Sequence, residues 1–252
     1  MRQSLLDSPL RVLRNLTIAS ALASPAVAEP VTIAALGDSL TQGYGLAPED
    51  GFVPQLQNWL TVNGADVVLI NAGVSGDTTA GGLSRVDWTL TPEVDAVIVA
   101  LGGNDVLRGL PPSQARSNID AILTKIAARD LPVLLAGIDT PNNYGPDYKA
   151  EFDALYSELA SKHGALLVPD FLGGLTRIED RAMVMREHMQ GDAIHPNASG
   201  VALIVEAIGP KVLELIERVQ APTQQSGLPK SDRYYSSGDR AGSDFFWCCP
   251  NC

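Results

Sequence analysis

The chain has 252 residues, of which 45% are hydrophobic and 19% are charged, so it can bury a full core and favours one globular domain with extra segments at its ends. This composition excludes a chain that is disordered throughout. The formal net charge of −11 argues against a nucleic-acid partner, because contact with phosphates needs a concentrated basic surface that this sequence lacks. A small or neutral partner is expected instead.

The first segment, 1–28, has the pattern of a cleaved export signal. Arg11 and Arg14 precede an apolar run at 16–23, and Ala26-Val27-Ala28 follows it as a small-residue cleavage site. The uncharged stretch around this run is shorter than the about 20 apolar residues that cross a bilayer. We expect a signal peptide, a periplasmic or secreted mature protein, and no membrane anchor after cleavage. A frayed amphipathic N-terminus is the alternative interpretation.

From residue 29 onward, short β-branched runs alternate with longer segments of helical periodicity, which is typical of a parallel sheet covered by helices on both faces. Near-continuous apolar runs predict fully buried strands at 31–36, 66–71, 96–101, 132–138 and 165–168. Apolar residues at helical spacing predict helices at 52–62, 113–128, 147–162 and 197–219, with a kink or break at Pro210 in the last. The sequence therefore predicts an α/β domain at 29–220 with one doubly wound, five-stranded sheet.

The composition changes at the end of this domain. Residues 221–252 are rich in Pro, Ser, Gln and Gly without periodicity, which predicts a disordered tail. All three cysteines, Cys248, Cys249 and Cys252, lie in the last five residues, so neither a disulfide-stabilised core nor a thiol nucleophile is expected. The single Cys-x-x-Cys lacks a second pair of ligands, and we expect no metal site there.

A candidate nucleophile follows the first predicted strand, in Gly37-Asp38-Ser39-Leu40. Ser39 lies at the carboxyl end of a buried strand, where open α/β sheets build their sites. A serine hydroxyl needs a base within hydrogen-bond reach, and the candidates are His163, His188 and His195. His195 is the strongest, because Asp192 precedes it by three residues and could orient its ring within one turn. Taken singly, each motif also fits a helix cap or a surface turn.

Two further strand ends could provide donors for the oxyanion of an acyl-transfer reaction. Such sites use backbone N–H groups supplemented by amide side chains. Gly73, in Asn71-Ala72-Gly73, lets the backbone approach a ligand closely, and Asn104, in Gly102-Gly103-Asn104-Asp105, offers an amide. Each motif alone is more typical of a tight turn that caps a helix. Right-handed crossovers would bring these strand ends to one rim with Ser39.

Together these motifs resemble the signature blocks of the SGNH or GDSL-type hydrolases, in particular the group of bacterial arylesterases and multifunctional acyl-CoA thioesterase I/lysophospholipase L1 enzymes. The resemblance extends over about residues 31–219. It includes the segments 36–44, Ser75-Gly76-Asp77-Thr78, Gly102-Gly103-Asn104-Asp105 with Leu107-Arg108-Gly109, Asn143-Tyr144-Gly145, and 191–197.

The resemblance implies a flavodoxin-like three-layer α/β/α sandwich with a central five-stranded parallel sheet. It implies Ser39, Asp192 and His195 as the catalytic triad. The oxyanion hole would consist of the N–H groups of Ser39 and Gly73 with the side chain of Asn104. In such enzymes Asp38 and Asp105 would be structural, and neither a metal nor another cofactor would be used.

The same resemblance suggests that the Pro-, Asn- and Gly-rich loop 139–147 borders the acyl pocket. The expected substrate contacts are Leu40, Leu107, Asn143, Tyr144 and Ile194. The loop could equally be a plain connector, and the apolar residues could belong to the core. The predicted activity is hydrolysis of small-molecule carboxylic esters, and of thioesters or lysophospholipids, by a monomer that forms an acyl-serine intermediate.

Other functions remain open at this point. A carbohydrate acetylesterase would use the same residues, since the fold alone does not choose the substrate. A non-catalytic binding protein would keep the pocket and attach to a partner through the C-terminal cysteines. A glycosidase would use Asp38 and Asp105 as paired carboxylates, but it would leave Ser39, Asn104 and His195 without a role.

Overall fold

The computed structural model describes residues 29–221. The predicted signal peptide and the predicted tail, apart from residue 221, lie outside the described residues. Five parallel strands form one sheet: β1 (Val31–Gly37), β2 (Val67–Gly73), β3 (Ala96–Ala100), β4 (Val133–Ala136) and β5 (Leu166–Val168). Their order is β2-β1-β3-β4-β5, so the direction of winding reverses between β1 and β3. The prediction of a five-stranded parallel sheet is confirmed, and ligands bind at such reversal points.

Helices connect the strands and cover the sheet. They are α1 (Ser39–Gln42), α2 (Phe52–Val62), α3 (Thr79–Thr89), α4 (Gly103–Leu107), α5 (Pro112–Ala127), α6 (Pro146–His163), α7 (Gly173–Thr176), α8 (Arg181–Glu187) and α9 (Ala198–Gln220), with 3₁₀ turns at Pro48–Asp50 and Asn142–Tyr144. The four predicted helices correspond to α2, α5, α6 and α9. No helix within residues 29–221 is long and apolar enough to cross a membrane.

Of the kink or break predicted at Pro210, the break does not occur, because α9 runs through this residue without interruption. Pro210 lacks the N–H that would bond the carbonyl of Glu206, one turn earlier. Both residues are exposed, so water can bond this carbonyl instead. The buried face of α9, which includes Ile204, Ile208 and Val212, keeps the helix against the sheet.

The strands separate two apolar cores. Alternate residues of β1 point to opposite faces: Ile33 and Ala35 belong to one core, and Ala34 and Leu36 to the other. The first core contains the apolar faces of α2 and α9, and the second contains those of α3, α5 and α6. Each buried Ile or Leu contributes about 1.5–3 kcal/mol to folding. The three-layer α/β/α arrangement is therefore confirmed.

The edge strand β2 is not the fully buried strand that its apolar run predicts. Val67 is buried, but Val68 and Ile70 are 45% and 38% exposed, because β2 lies at the sheet edge and packs against α2 on one face. Gln57 of α2 pairs with the outer edge: its Nε2 donates to the Val67 carbonyl and its Oε1 accepts the Leu69 amide, both at 2.8 Å. One carboxamide thus takes the place of a neighbouring strand.

Candidate active site

Ser39 begins the short helix α1 directly beyond the end of β1. Asp38 caps this helix, since its Oδ1 accepts the Leu40 amide at 3.0 Å. Gly37 must lack a side chain, because a Cβ would overlap Thr41, which folds back against the strand end. As the first residue of the helix, Ser39 has an N–H without an intrahelical partner, and no other acceptor within residues 29–221 takes it. The fold therefore presents both a hydroxyl and a free amide at this position.

His195 meets Ser39 from the loop that precedes α9. Its Nε2 lies 2.9 Å from Ser39 Oγ, and its Nδ1 lies 2.6 Å from Asp192 Oδ2. Asp192 Oδ1 accepts the amides of Ile194 and His195, both at 3.0 Å. Hydrogen bonds hold the pKa of Asp192 well below its usual value. The largest effect comes from the His195 amide, followed by the His195 ring and the Ile194 amide. The carboxylate thus favours a proton on Nδ1 and leaves Nε2 as the acceptor for the serine hydroxyl.

Gln190 braces the loop that carries this pair, and the sequence analysis missed it. Its amide donates to the His195 carbonyl at 2.8 Å, and its carbonyl accepts the Ala193 amide at 3.0 Å. Its side chain donates to the Tyr44 carbonyl at 2.8 Å, and the Tyr44 ring packs on the imidazole with ring centres 4.7 Å apart. These contacts hold Ala193 at a φ of +59°, which is uncommon for alanine and needs support from its surroundings.

The other two histidines have different partners. His163, at the end of α6, lies 2.6 Å from Asp120. His188 Nδ1 lies 2.9 Å from the hydroxyl of Ser199, which forms a second Ser-His contact within the described residues. The Ser199 hydroxyl also donates to the Glu187 carbonyl at 3.0 Å, in the first turn of α9. This second contact is part of a helix start.

Asn104 lies in the first turn of α4, beyond the end of β3. Its Nδ2 donates to the Asp77 carbonyl at 3.0 Å and lies 3.4 Å from Asp38 Oδ2. One amide hydrogen is therefore firmly bound, and the other makes a long contact that a ligand could replace. The chain enters α4 through Gly102, where a φ of +123° and the hydroxyl of Tyr156 leave no room for a side chain.

Gly73, whose N–H was the expected oxyanion donor, lies at the end of β2 against α1. Its amide donates to Asn71 Oδ1 at 3.0 Å, so this N–H is already occupied. A Cβ on Gly73 would overlap the backbone of Gln42, which makes it a position of close packing against α1. Gly76, three residues later, has a φ of +82°, and its amide has no acceptor within residues 29–221. Gly76 adjoins Asp77, which binds Asn104, and the sequence analysis did not single it out.

Asp38 and Asp105 are 4% and 0% exposed. Asp105 accepts the amide and the hydroxyl of Thr79, at 2.8 and 2.7 Å, and so fixes the start of α3. For Asp38, burial raises the pKa to about 6, against the opposing effects of the Leu40 amide, His195 and Asn104. Two carboxylates this buried cannot flank a glycosidic bond, which argues against a glycosidase. Within the described residues, no cluster of His, Cys, Asp and Glu could hold a metal ion.

Most of the expected substrate contacts lie on the surface rather than in the core. Leu107, Tyr144 and Ile194 are 59%, 49% and 48% exposed, and Asn143 is also exposed. The Tyr144 hydroxyl reaches the Leu107 carbonyl at 3.5 Å, which joins the 3₁₀ turn in loop 139–147 to α4. Leu40 instead lines a cavity of about 20 Å³ at the ends of β3 and β4. This cavity has room for about one water molecule.

At the carboxyl rim of this doubly wound sheet, a serine hydroxyl is hydrogen-bonded to an imidazole, and a carboxylate orients that imidazole. This is the arrangement of a serine hydrolase. The model of the GDSL-like lipase/acylhydrolase family matches residues 35–203, and the chain belongs to this family.

Characterised relatives agree with this assignment. The chain is 38% identical to the esterase TesA of Pseudomonas aeruginosa over 73% of its own length and 89% of that protein. It is 34% identical to thioesterase 1/protease 1/lysophospholipase L1 of Escherichia coli K12, over 73% of this chain and 85% of that one. The crystal structure of AlinE4, an SGNH-hydrolase family esterase, has a TM-score of 0.61 at 42% identity and covers 75% of this chain and 98% of its own. The protein is an ester-hydrolysing serine hydrolase.

Proposed function

We propose that the protein hydrolyses small-molecule esters through an acyl group carried on Ser39. His195 Nε2 takes the hydroxyl proton while Ser39 Oγ attacks the ester carbonyl carbon. The tetrahedral intermediate then expels the alcohol, which receives that proton, and Ser39 keeps the acyl group. Water then attacks the acyl carbon with His195 again as base, the bond to Ser39 Oγ breaks, and His195 returns the proton to Ser39 as the acid leaves. The proposal rests on the 2.9 Å contact of Ser39 Oγ with His195 Nε2, with Asp192 on the other ring nitrogen.

Three donors support the oxyanion in this proposal: the amides of Ser39 and Gly76 and the side chain of Asn104. The two amides are unpaired within the described residues, and Asn104 has a weakly held hydrogen. The Gly73 amide, expected from the sequence, would first have to release Asn71 Oδ1. Asn71→Ala removes that acceptor, so it distinguishes the two glycines. We expect no rise in kcat, whereas a rise would favour Gly73 as the donor.

Covalent labelling tests the mechanism. A fluorophosphonate probe should modify wild-type protein at Ser39, and Ser39→Ala should abolish both labelling and ester hydrolysis. Ser199→Ala is the matched control, because its hydroxyl also lies 2.9 Å from a histidine but belongs to a helix start. We expect this control to keep labelling and activity. Equal labelling of wild type and Ser39→Ala would refute the acyl-serine mechanism.

For the substrate we propose carboxylic oxyesters together with thioesters or lysophospholipids. The exposed apolar side chains of Leu107, Tyr144 and Ile194 offer a surface for an acyl chain, whereas the adjacent cavity of about 20 Å³ has no room for one. The named activities of the relatives point to the same class of acyl donor.

A chain-length series of aryl esters and acyl-CoA thioesters, measured on wild type and Ser39→Ala, tests this substrate class. We expect turnover of several acyl lengths that depends on Ser39. Turnover confined to acetylated sugars would replace the assignment by a carbohydrate acetylesterase. Blank ester assays, combined with a biological effect that Ser39→Ala retains, would indicate a binding protein.

We propose further that the protein is exported and acts as a monomer. Support for export comes from the basic residues, the apolar run and the small-residue site within 1–28. N-terminal sequencing of the exported protein should find Glu29 first, and an intact N-terminus would refute cleavage. Light scattering after size exclusion should give the mass of one chain.

A further inference from the structure

Arg85, on α3, makes a concentrated set of contacts near the site. Its Nε donates to Asp77 Oδ2 at 2.6 Å, its Nη1 to the Ala72 carbonyl at 2.7 Å, and its Nη2 to the Gly37 carbonyl at 2.8 Å. The side chains of Arg85 and Asp77 are 21% and 18% exposed, so the guanidinium is largely shielded from water. A planar group with donors in a fixed fork suits such a set of acceptors, whereas a lysine ammonium does not reproduce it.

Each acceptor belongs to a segment that carries an oxyanion donor of the proposed mechanism. The Gly37 carbonyl belongs to the peptide bond between Gly37 and Asp38, and Ser39 is the next residue after Asp38. The Ala72 carbonyl lies at the end of β2, where the loop to Gly76 begins. Asp77 follows Gly76, and its own carbonyl holds Asn104. One guanidinium therefore ties together the chain segments of all three donors.

Contacts between distant parts of the chain hold these segments, and Arg108 Nη2 also donates to the Gly76 carbonyl at 2.8 Å. Gly37 ends β1, and its carbonyl also accepts the Val74 amide at 3.0 Å, so both of its lone pairs are used. The loop between β2 and α3 lies at the edge of the sheet and has no strand on its outer side. Donors that must be fixed before the reaction need such a brace, because a displacement of 1 Å can cost about 10²-fold in rate.

We propose that Arg85, paired with Asp77, is a positioning residue for the oxyanion hole, an inference that rests on the proposed acyl-serine mechanism. It touches no substrate in this role. Its effect is to set the mutual positions of the Ser39 amide, the Gly76 amide and Asn104. Loss of the brace should therefore weaken stabilisation of the tetrahedral state more than binding of the ester.

The test compares Arg85→Lys and Asp77→Asn with the matched control Arg129→Lys. Arg129 also bonds a backbone carbonyl, that of Leu90 at 2.6 Å, but at the far end of α3. Activity on p-nitrophenyl butyrate is normalised to sites titrated with a fluorophosphonate, so that only folded, reactive enzyme counts. We expect both test variants to lose about 10- to 100-fold in kcat with KM within threefold. A boronic acid that forms a tetrahedral adduct should bind more weakly by a similar factor, and the control should stay within twofold.

Other outcomes overturn the proposal. Fewer titrated sites or a lower melting temperature, with normal kcat per site, would make Arg85 structural only. A rise in KM at constant kcat would place it in substrate binding. The proposed mechanism is tested separately in wild type, because failure to label Ser39 there would refute the mechanism and this assignment with it, whatever the Arg85 variants do.

Discussion

Replacing Asp38 by asparagine should stabilise the fold at neutral pH and much less in acid. Asp38 is 4% exposed, and burial raises its pKa to about 6 from the ordinary 3.8. A carboxyl group with a raised folded-state pKa favours folding below its unfolded pKa. That advantage is lost as the pH rises through the folded value. Asparagine keeps an oxygen for the Leu40 amide and never carries the charge.

The size of the effect follows from the two pKa values of Asp38, about 6 in the folded protein and 3.8 as its ordinary value. With about 1.4 kcal/mol for each tenfold difference, the ionised carboxylate costs about 3 kcal/mol of unfolding free energy at pH 7. At pH 4.5, where the folded protein holds the proton, the cost is about 1 kcal/mol. The advantage of Asp38→Asn should therefore grow by about 2 kcal/mol between these pH values, whatever constant amount the lost contact with Asn104 subtracts.

Urea unfolding at pH 4.5 and pH 7, followed by circular dichroism, measures this difference. Asp87→Asn is a control on the surface of α3, where the carboxylate is 58% exposed, and its effect should stay within about 0.5 kcal/mol at both pH values. If the stability difference between wild type and Asp38→Asn did not change with pH, the burial argument for Asp38 would be refuted.

Three further predictions concern the site and the helix beside it. Asn104→Ala removes a proposed oxyanion donor and should lower kcat about 10²- to 10³-fold in steady-state ester hydrolysis; a rise in KM alone would contradict this role. Asp192→Asn keeps one oxygen for the amides of Ile194 and His195 but places an NH2 group against His195 Nδ1, so it should lower kcat on the order of 10³-fold; a loss below tenfold would show that the carboxylate is dispensable. Asn197→Ala removes the cap that accepts the Gly200 amide at 3.0 Å and should cost about 1 kcal/mol in urea unfolding, with kcat per titrated site unchanged.

The sheet was predictable because its central strands are buried on both faces and therefore apolar throughout. The apolar run of β2 wrongly predicted a fully buried strand. An edge strand that is covered on one face can leave apolar residues such as Val68 and Ile70 exposed. Helix α3 was missed because Gly81 and Gly82 lower its intrinsic propensity. It forms through tertiary contacts: Thr78 caps it and Asp105 holds Thr79.

At the site, the sequence could place Ser39, Asn104 and His195 at strand ends and in a loop, since topology brings such ends to one rim. It predicted Gly73 as an oxyanion donor and did not consider Gly76. The Gly73 amide is occupied because the side chain of Asn71 points back to it, a contact that no spacing reveals. The sequence feature that could have pointed to Gly76 was the segment Ser75-Gly76-Asp77-Thr78.

Helix α1, which carries Ser39, could not be predicted from the local sequence. A helix of four residues does not form by itself, because nucleation is unfavourable and few bonds repay it. Its position depends on the Asp38 cap, on the approach of Gly73 to Gln42, and on the hold of Arg85 on the Gly37 carbonyl. The last two of these contacts come from β2 and α3, far along the chain. The conformation of Ser39 therefore depends on the whole carboxyl rim of the sheet. Substitution of Arg85 should lower the rate of the reaction although it leaves the serine itself unchanged.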